Sequence, residues 1–281
     1  MQSPKDIIRH YSITPRKSMG QCFLVDEGII HKIAAFTDVQ ENDVVVEIGA
    51  GIGVLTEQLA RTAARVVAVE LDERLVRVLT DRLSKYKNVD IHAGNILRFD
   101  FRSLFQTENR PIKIVGNIPY NISSPLLFYL LSFRDVINCF VLMMQKELVD
   151  RLTALPGNKT YGVPSVIFQM FADMENVLSI PASCFHPRPK VESSIIRGAF
   201  HHQPRYALND ENYFIRLVRD AFAQRRKTLL NNLKHSKLTE GIEESWLREV
   251  LEKSGIDGQR RGETLSLQEY AALSNIMMEN K

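Results

Sequence analysis

Asp43–Ile48 (DVVVEI) is a β-branched run that stops on glycine, and Gly49-Ala50-Gly51-Ile52-Gly53 leads straight into a helical pattern beginning at Val54. A buried strand turning through glycines into a helix is half of a crossover unit, and the next strand of such a unit lies parallel to the first. The rest of the chain repeats the unit. Arg65–Glu70 (RVVAVE) reads as a second strand, and Glu73–Ser84 as a helix with Leu75, Val78, Leu79 and Leu83 on one face. Val89–Ala93, Ile112–Val115 and Val136–Met143 read as further strands, with a polar loop region before the second of them and a helix over Ser124–Leu131 before the third. Strand and helix alternate, which predicts an α/β, Rossmann-like doubly wound core with a mainly parallel sheet.

The pattern changes after a last apolar run, Val191–Ala199. His201–Asn209 is polar and broken by Pro204, and beyond it only helical periodicity recurs. In Asp210–Phe222 the residues Phe214, Leu217, Val218, Ala221 and Phe222 share a face, with Asn209 or Asp210 as cap; further helices are expected around 225–233, 244–253 and 266–278. The expected division is a basic N-terminal arm (1–20), a Rossmann-like domain (21–203) and a small all-helical C-terminal domain (204–281).

No apolar run approaches the roughly 18 residues that a membrane span needs, and the N-terminus lacks the apolar stretch of a secretory signal. The three cysteines stand far apart, which indicates neither a disulfide framework nor a thiolate metal site and fits a reducing cytoplasm. The net charge of +3 conceals two basic segments. One is residues 1–20, with Lys5, Arg9, Arg16 and Lys17 against Asp6. The other is residues 215–237, where Arg216, Arg219, Arg225, Arg226, Lys227, Lys234 and Lys237 face only Asp220. Such clusters suit a phosphate backbone, or else they are solvated helix faces; composition does not choose between these.

Glycines between a strand and a helix let a ligand approach the backbone and expose amides at a helix N-terminus. Dinucleotides and S-adenosylmethionine both use that arrangement. The dinucleotide fingerprint has glycine three residues after its second, but here that position is Val54 and the third glycine is Gly53, which suits S-adenosylmethionine. Glu70, ending the second strand, can accept ribose hydroxyls, and Asn95, after the third, lies where the adenine edge is met.

Gly116-Asn117-Ile118-Pro119-Tyr120 follows the fourth strand, and asparagine–apolar–proline–aromatic at that point marks enzymes that methylate a conjugated amino group. The lone pair of such an amine is delocalised into its ring. The Asn117 side-chain oxygen and the carbonyl of Ile118 or Pro119 can take its two hydrogens, aim the lone pair at a methyl donor, and stabilise the positive charge that develops. Tyr120 offers a face for the extruded base. Phe185, on the proline-stiffened segment Phe185–Val191, is the candidate second face, with Arg188 and Lys190 placed for phosphates. No general base is assigned among the seven histidines, since the proton can leave after transfer, and no metal site is expected at His201–His202.

With these residues, the sequence resembles the KsgA family of ribosomal RNA adenine dimethyltransferases. The likeness runs through Met19–Leu24, Val46–Gly51, Gly116–Ser123, Gln145–Glu147, Phe185–Val191 and Ala221–Leu229. The resemblance implies S-adenosylmethionine as cofactor and dimethylation of two adjacent adenosines in a hairpin near the 3′ end of small-subunit rRNA. It further implies action on a pre-30S particle, with the helical domain docking on rRNA through Arg225, Arg226 and Lys227. Cofactor contacts carried over are Gln21, Cys22, Leu24, Gly49, Gly51, Glu70, Asn95 and Asn117. Cys22 stands where the family commonly has asparagine and Asn95 where it commonly has aspartate, which implies weakened binding of the same cofactor. Competing readings are the antibiotic-resistance relative acting on large-subunit rRNA, disfavoured by the FHPRPKV segment and the long helical C-terminus, and an assembly factor whose methylation is secondary. A monomer is expected.

Overall fold

Val44–Ile48 is buried at all five positions and forms an inner strand of a seven-stranded sheet in this computed structural model, which describes residues 2–280. In chain order the elements are α1 (Pro4–His10), β1 (Phe23–Leu24), α2 (Glu27–Thr37), β2 (Val44–Ile48), α3 (Val54–Leu59), β3 (Arg65–Glu70), α4 (Glu73–Leu83), β4 (Val89–Ala93), α5 (Phe101–Glu108), β5 (Ile112–Asn117), α6 (Ser123–Leu131), β6 (Ile137–Gln145), α7 (Lys146–Leu152), α8 (Val163–Phe171), β7 (Ala172–Ile180), β8 (Phe185–His186), β9 (Ser193–Phe200), α9 (Glu211–Ala221), α10 (Leu229–Lys234), α11 (Glu244–Lys253) and α12 (Leu267–Glu279). The sheet order is β4-β3-β2-β5-β6-β9-β7, with β2 parallel to β3 and β5, β3 parallel to β4, β5 parallel to β6, and β9 antiparallel to β6. A separate two-stranded ladder joins β1 and β8. This is the doubly wound α/β core that the alternating pattern predicts.

Local chemistry sets several boundaries. Asp72 caps α4 by accepting from the amide of Arg74, and Asp100 caps α5 by accepting from Arg102 and Ser103. That second cap turns part of the expected polar loop between β4 and β5 into a helix. The helix expected from 225 begins only at Leu229. Ahead of it, Gln224–Lys227 forms a turn gathered by the buried Asn232 side chain, whose Nδ2 donates to the carbonyls of Ala221 (2.8 Å) and Gln224 (3.2 Å).

Contacts divide the chain into one unit of residues up to Val149 with Met174–Phe200, and another of Asp150–Asp173 with the residues from His201 onward. The expected contiguous domain 21–203 is therefore corrected. Residues 150–173 group with the C-terminal helices because the Tyr161 hydroxyl donates to the Leu265 carbonyl (3.0 Å) and the Phe171 ring packs edge-on against Phe214. The expected basic arm belongs to the first unit. Ser3 caps α1, Ile7 is fully buried, and Arg74 reaches the Thr14 carbonyl (3.3 Å).

At the centre of the sheet Ile48 pairs with Gly116, and a Cβ at position 116 would lie 2.5 Å from the Ile48 carbonyl oxygen. Only glycine permits that approach. Gly116→Ala should lower unfolding free energy by about 1–3 kcal/mol, read as a reduced urea midpoint at an unchanged m-value.

Candidate active site

Strand order reverses between β2 and β5, and in open α/β sheets ligands bind beyond the carboxyl ends of the strands at that point. Gly49 leaves β2 there beside Asn117, the last residue of β5. Gly51 and Gly53 both have left-handed backbone (φ 58° and 76°), and a Cβ at Gly53 would meet Leu79 at 2.8 Å. The turn is tied to β3 twice: the Gly49 amide donates to the Val69 carbonyl (2.9 Å), and the Gly51 amide donates to Glu70 Oε2 (2.9 Å). Glu70 Oε1 accepts from the amides of Leu71 and Asp72, each at 2.9 Å. Burial raises the Glu70 carboxyl above the usual range, and the three amides oppose that shift.

A cleft of about 1020 Å³, including its open mouth, lies over these ends. Its walls are Met19–Phe23, the glycine turn, Val69–Leu71 with Leu75, Gly94–Leu97, and Asn117–Tyr120 with Ile122. Gln21, Cys22, Gly49, Gly51, Glu70, Asn95, Asn117, Ile118, Pro119 and Tyr120 are thus brought together.

The Asn117 Nδ2 donates to the Cys22 carbonyl (2.9 Å), so the amide nitrogen is spoken for and the oxygen is left as the acceptor. The Ile118 amide donates to the Met143 carbonyl (2.9 Å), anchoring the segment to β6. The Pro119 carbonyl accepts from the Ile122 amide (3.1 Å) and the Ser123 hydroxyl (3.2 Å), whereas the Ile118 carbonyl accepts no hydrogen bond among the described residues. Of the two carbonyls, that of Ile118 is the one left open. Tyr120 is half-buried, with its hydroxyl 2.9 Å from Ser193 Oγ.

Other expected residues are placed differently. Phe185 is 5% exposed and pairs with Leu24 across the β1–β8 ladder, inside an apolar cluster with Ile30 and Ile33. Its ring is absent from the cleft wall, which corrects the expected sandwich: the ladder turns it into the core. Leu24 likewise misses the cleft and lines an adjoining cavity behind the glycine turn. Gln21 faces the cleft with its amide engaged, Oε1 accepting from the Arg16 amide (2.8 Å) and Nε2 donating to Asp72 Oδ2 (2.9 Å). Asn95 Oδ1 accepts from the Leu97 amide (3.0 Å), a turn-capping role that aspartate and asparagine fill equally. Cys22 serves Asn117 through its backbone carbonyl, which any side chain at that position preserves.

Arg188 and Lys190 are exposed on the segment between β8 and β9. In the second unit, Arg225, Arg226 and Lys227 are all exposed on the turn before α10, and Arg225, 54% exposed, is also tied to its own unit. It pairs with Glu263 at 2.6 Å and donates to the Lys159 carbonyl.

Leu71 and Glu47 are among the residues of the site that pattern did not single out. Leu71, 56% exposed, lays an apolar face along the cleft; its place directly after Glu70 is the signal that could have found it. Glu47 is 3% exposed in the cavity behind the turn, and its Oε2 has no hydrogen-bond partner. A lone acid in an otherwise β-branched strand was its signal. Burial pushes the Glu47 carboxyl up to about 8, with the neighbouring Thr56 hydroxyl opposing and the Glu70 charge reinforcing the shift. A carboxyl raised on folding contributes stability fully present below its unfolded value near 4.5 and lost as pH climbs through about 8. The wild type should therefore lose stability relative to Glu47→Gln by about 1 kcal/mol per pH unit across that window, levelling off above it. Urea midpoints of both proteins between pH 5 and 9 measure this.

Among the described residues no group of three or more His, Cys, Asp or Glu is arranged to hold a metal ion, and no helix is long and apolar enough to cross a membrane. The profile of the family described as ribosomal RNA adenine dimethylase matches residues 13–273. The ribosomal RNA small subunit methyltransferase A of Syntrophus aciditrophicus is 43% identical over 272 residues, covering 96% of this chain and 97% of that protein. The protein of the same name from Bacillus cytotoxicus is 41% identical over 280 residues, covering 99% and 96%. Among solved structures, a dimethyladenosine transferase from Plasmodium falciparum superposes with a TM-score of 0.78 at 27% identity, covering 88% of this chain and 94% of that one. The 23S rRNA methyltransferase ErmE shares the fold, with a TM-score of 0.71 at 23% identity over 91% of this chain and 99% of its own. The glycine turn, the Asn117 segment and the full-length similarity agree: the chain is a methyltransferase belonging to the ribosomal RNA adenine dimethylase family.

Proposed function

We propose that this chain uses S-adenosylmethionine to dimethylate the N6 amino groups of two adjacent adenosines in the 3′-terminal hairpin of small-subunit (16S) rRNA. We further propose that it acts as a cytoplasmic monomer on a pre-30S particle. The observation that carries the reading is the Asn117–Cys22 hydrogen bond, which orients an amide oxygen and leaves it, with the Ile118 carbonyl, as a pair of acceptors in the cleft. A planar amine has two hydrogens to give to such a pair.

The residues present fit the cofactor. The Glu70 carboxylate retains acceptor capacity beyond its three amide bonds, enough for a ribose hydroxyl. Leu71 and Ile96 supply apolar surface for an adenine, and the glycine turn leaves room for the amino-acid end. When bound, the cofactor supplies an electrophilic methyl carbon on a sulfonium. The protein's share is positional and electrostatic. Asn117 Oδ1 and the Ile118 carbonyl accept the two N–H groups, draw the nitrogen toward tetrahedral geometry and stabilise the positive charge that grows on it. The Tyr120 ring stacks the extruded base, a contact of about 1–3 kcal/mol. Similarity to proteins named for the small subunit, over nearly the whole chain, supports that substrate over the large-subunit alternative.

Asn117→Ala should cut transfer by a factor on the order of 10² to 10³, the loss typical of one preorganised group at a charge-developing centre, while the thermal midpoint stays near that of the wild type. Labelled S-adenosylmethionine and unmethylated small subunits, followed by mapping of the modified nucleotides, test the loss and the substrate together. Growth and subunit profiles of that variant against a deletion strain separate catalysis from assembly.

Arg226→Ala with Lys227→Ala should reduce the slope of log affinity against log salt by about 0.7–0.9 for each phosphate no longer neutralised, whereas Arg225→Ala, which also removes the half-exposed contacts to Glu263 and Lys159, should in addition lower the melting temperature slightly. Filter binding at several salt concentrations and calorimetry distinguish the two classes.

A further inference from the structure

Ser193 opens β9 opposite Gln145, is 1% exposed, and leads through the equally buried Ser194 into the apolar Ile195–Ile196 stretch of the strand. A hydroxyl at so buried a strand position needs a partner, and its partner is the Tyr120 hydroxyl at 2.9 Å. Tyr120 itself lies in the turn after β5, where its ring forms part of the cleft wall. Its base is held by the chain, but the far end of the ring is tied to the sheet only by this bond among the described residues. β9 is fixed in place by its ladder to β6, and the Lys146 amide donates to the Glu192 carbonyl (3.0 Å) immediately before it. Ser193 is therefore a fixed post on the rigid part of the fold, and Tyr120 leans on it from a turn.

We propose that Ser193 is a positioning residue for the methyl-transfer reaction, holding the Tyr120 ring in the plane on which the target adenine stacks. The inference rests on the functional reading above and adds a residue to it. A ring held before the base arrives loses less rotational freedom when the base stacks, so the bond acts on capture of the extruded nucleotide. It leaves the cofactor's own contacts untouched, since Ser193 is not part of the cleft wall.

The test is a double-mutant cycle of Ser193→Ala and Tyr120→Phe, with Ser193→Thr as the variant that keeps the hydroxyl. Two readouts are used: kcat/KM on unmethylated small subunits, and quenching of 2-aminopurine placed at one target position of a small-subunit 3′-terminal hairpin RNA. Each single variant should lose about fivefold in kcat/KM, the factor that one neutral hydrogen bond contributes. Both should weaken the quenching, and the double variant should lose no more than either alone. S-adenosylmethionine affinity should stay at the wild-type value, the melting temperature should fall by only about 2–4 °C with the loss of one hydrogen bond, and Ser193→Thr should restore both readouts. Ser193→Ala indistinguishable from wild type, or losses that multiply in the double variant, overturns the inference while leaving the functional reading intact. Wild-type protein that neither labels the subunit nor quenches the probe sinks both.

Discussion

The register of β2 against β5 governs the site. Ile48 lies opposite Gly116, so the two strands end together and release Gly49 and Asn117 side by side at the point where strand order reverses. The approach depends on the missing Cβ at position 116, beneath the Ile48 carbonyl. A shift of one residue would turn every side chain of β5 to the opposite face and carry Asn117 away from the glycine turn. Gly51 then reaches across to the Glu70 carboxylate at the end of β3, so that three strand ends are joined by strand pairing and this side chain before any ligand is considered.

Three carboxyl groups near the cleft are driven to different states by their surroundings. Glu47 is held in its neutral form by burial, up to about 8. Glu70 is also raised by burial, but three amides favour its ionised form and aim its oxygens. Asp72 is held well below the usual range, first by its hydrogen bonds to Arg74 and then by Gln21. The same residue class thus supplies a neutral buried group, a directed acceptor and an anionic anchor for the segment leading to Cys22. Burial, amides and guanidinium are the three levers at work.

Several polar side chains that resemble ligand contacts are used internally. Arg225 braces the loop at Lys159, Gln21 joins Arg16 to Asp72, Asn95 caps a turn, and Asn232 gathers the turn before α10. These bonds hold in place the segments that present the exposed groups: Arg226 and Lys227 in the second unit, and the cleft-facing backbone in the first. The Cys22 carbonyl shows the same division of labour, because its contribution to Asn117 is independent of its side chain.

The α/β alternation, the glycine turn, Glu70 and the Asn117–Tyr120 segment were legible from the residues, since each is a local pattern with a local cause: period, backbone freedom, or one side chain following one strand. Element ends were legible to within a few residues for the same reason. What required the tertiary structure were choices between groups of equal chemical competence. Ile118 and Pro119 both carry a carbonyl, and only the bonds to Ile122 and Ser123 make Pro119 the occupied one. Phe185 is as aromatic as Tyr120, but the β1–β8 ladder turns its ring into the core while Ser193 holds the Tyr120 ring at the cleft. Residues 150–173 lie within the α/β stretch of the chain, yet the contacts of Tyr161 and Phe171 assign them to the helices that follow. Residue type determines what a group can bond to; which of its possible partners it meets is decided by segments distant in sequence, and no local pattern records them.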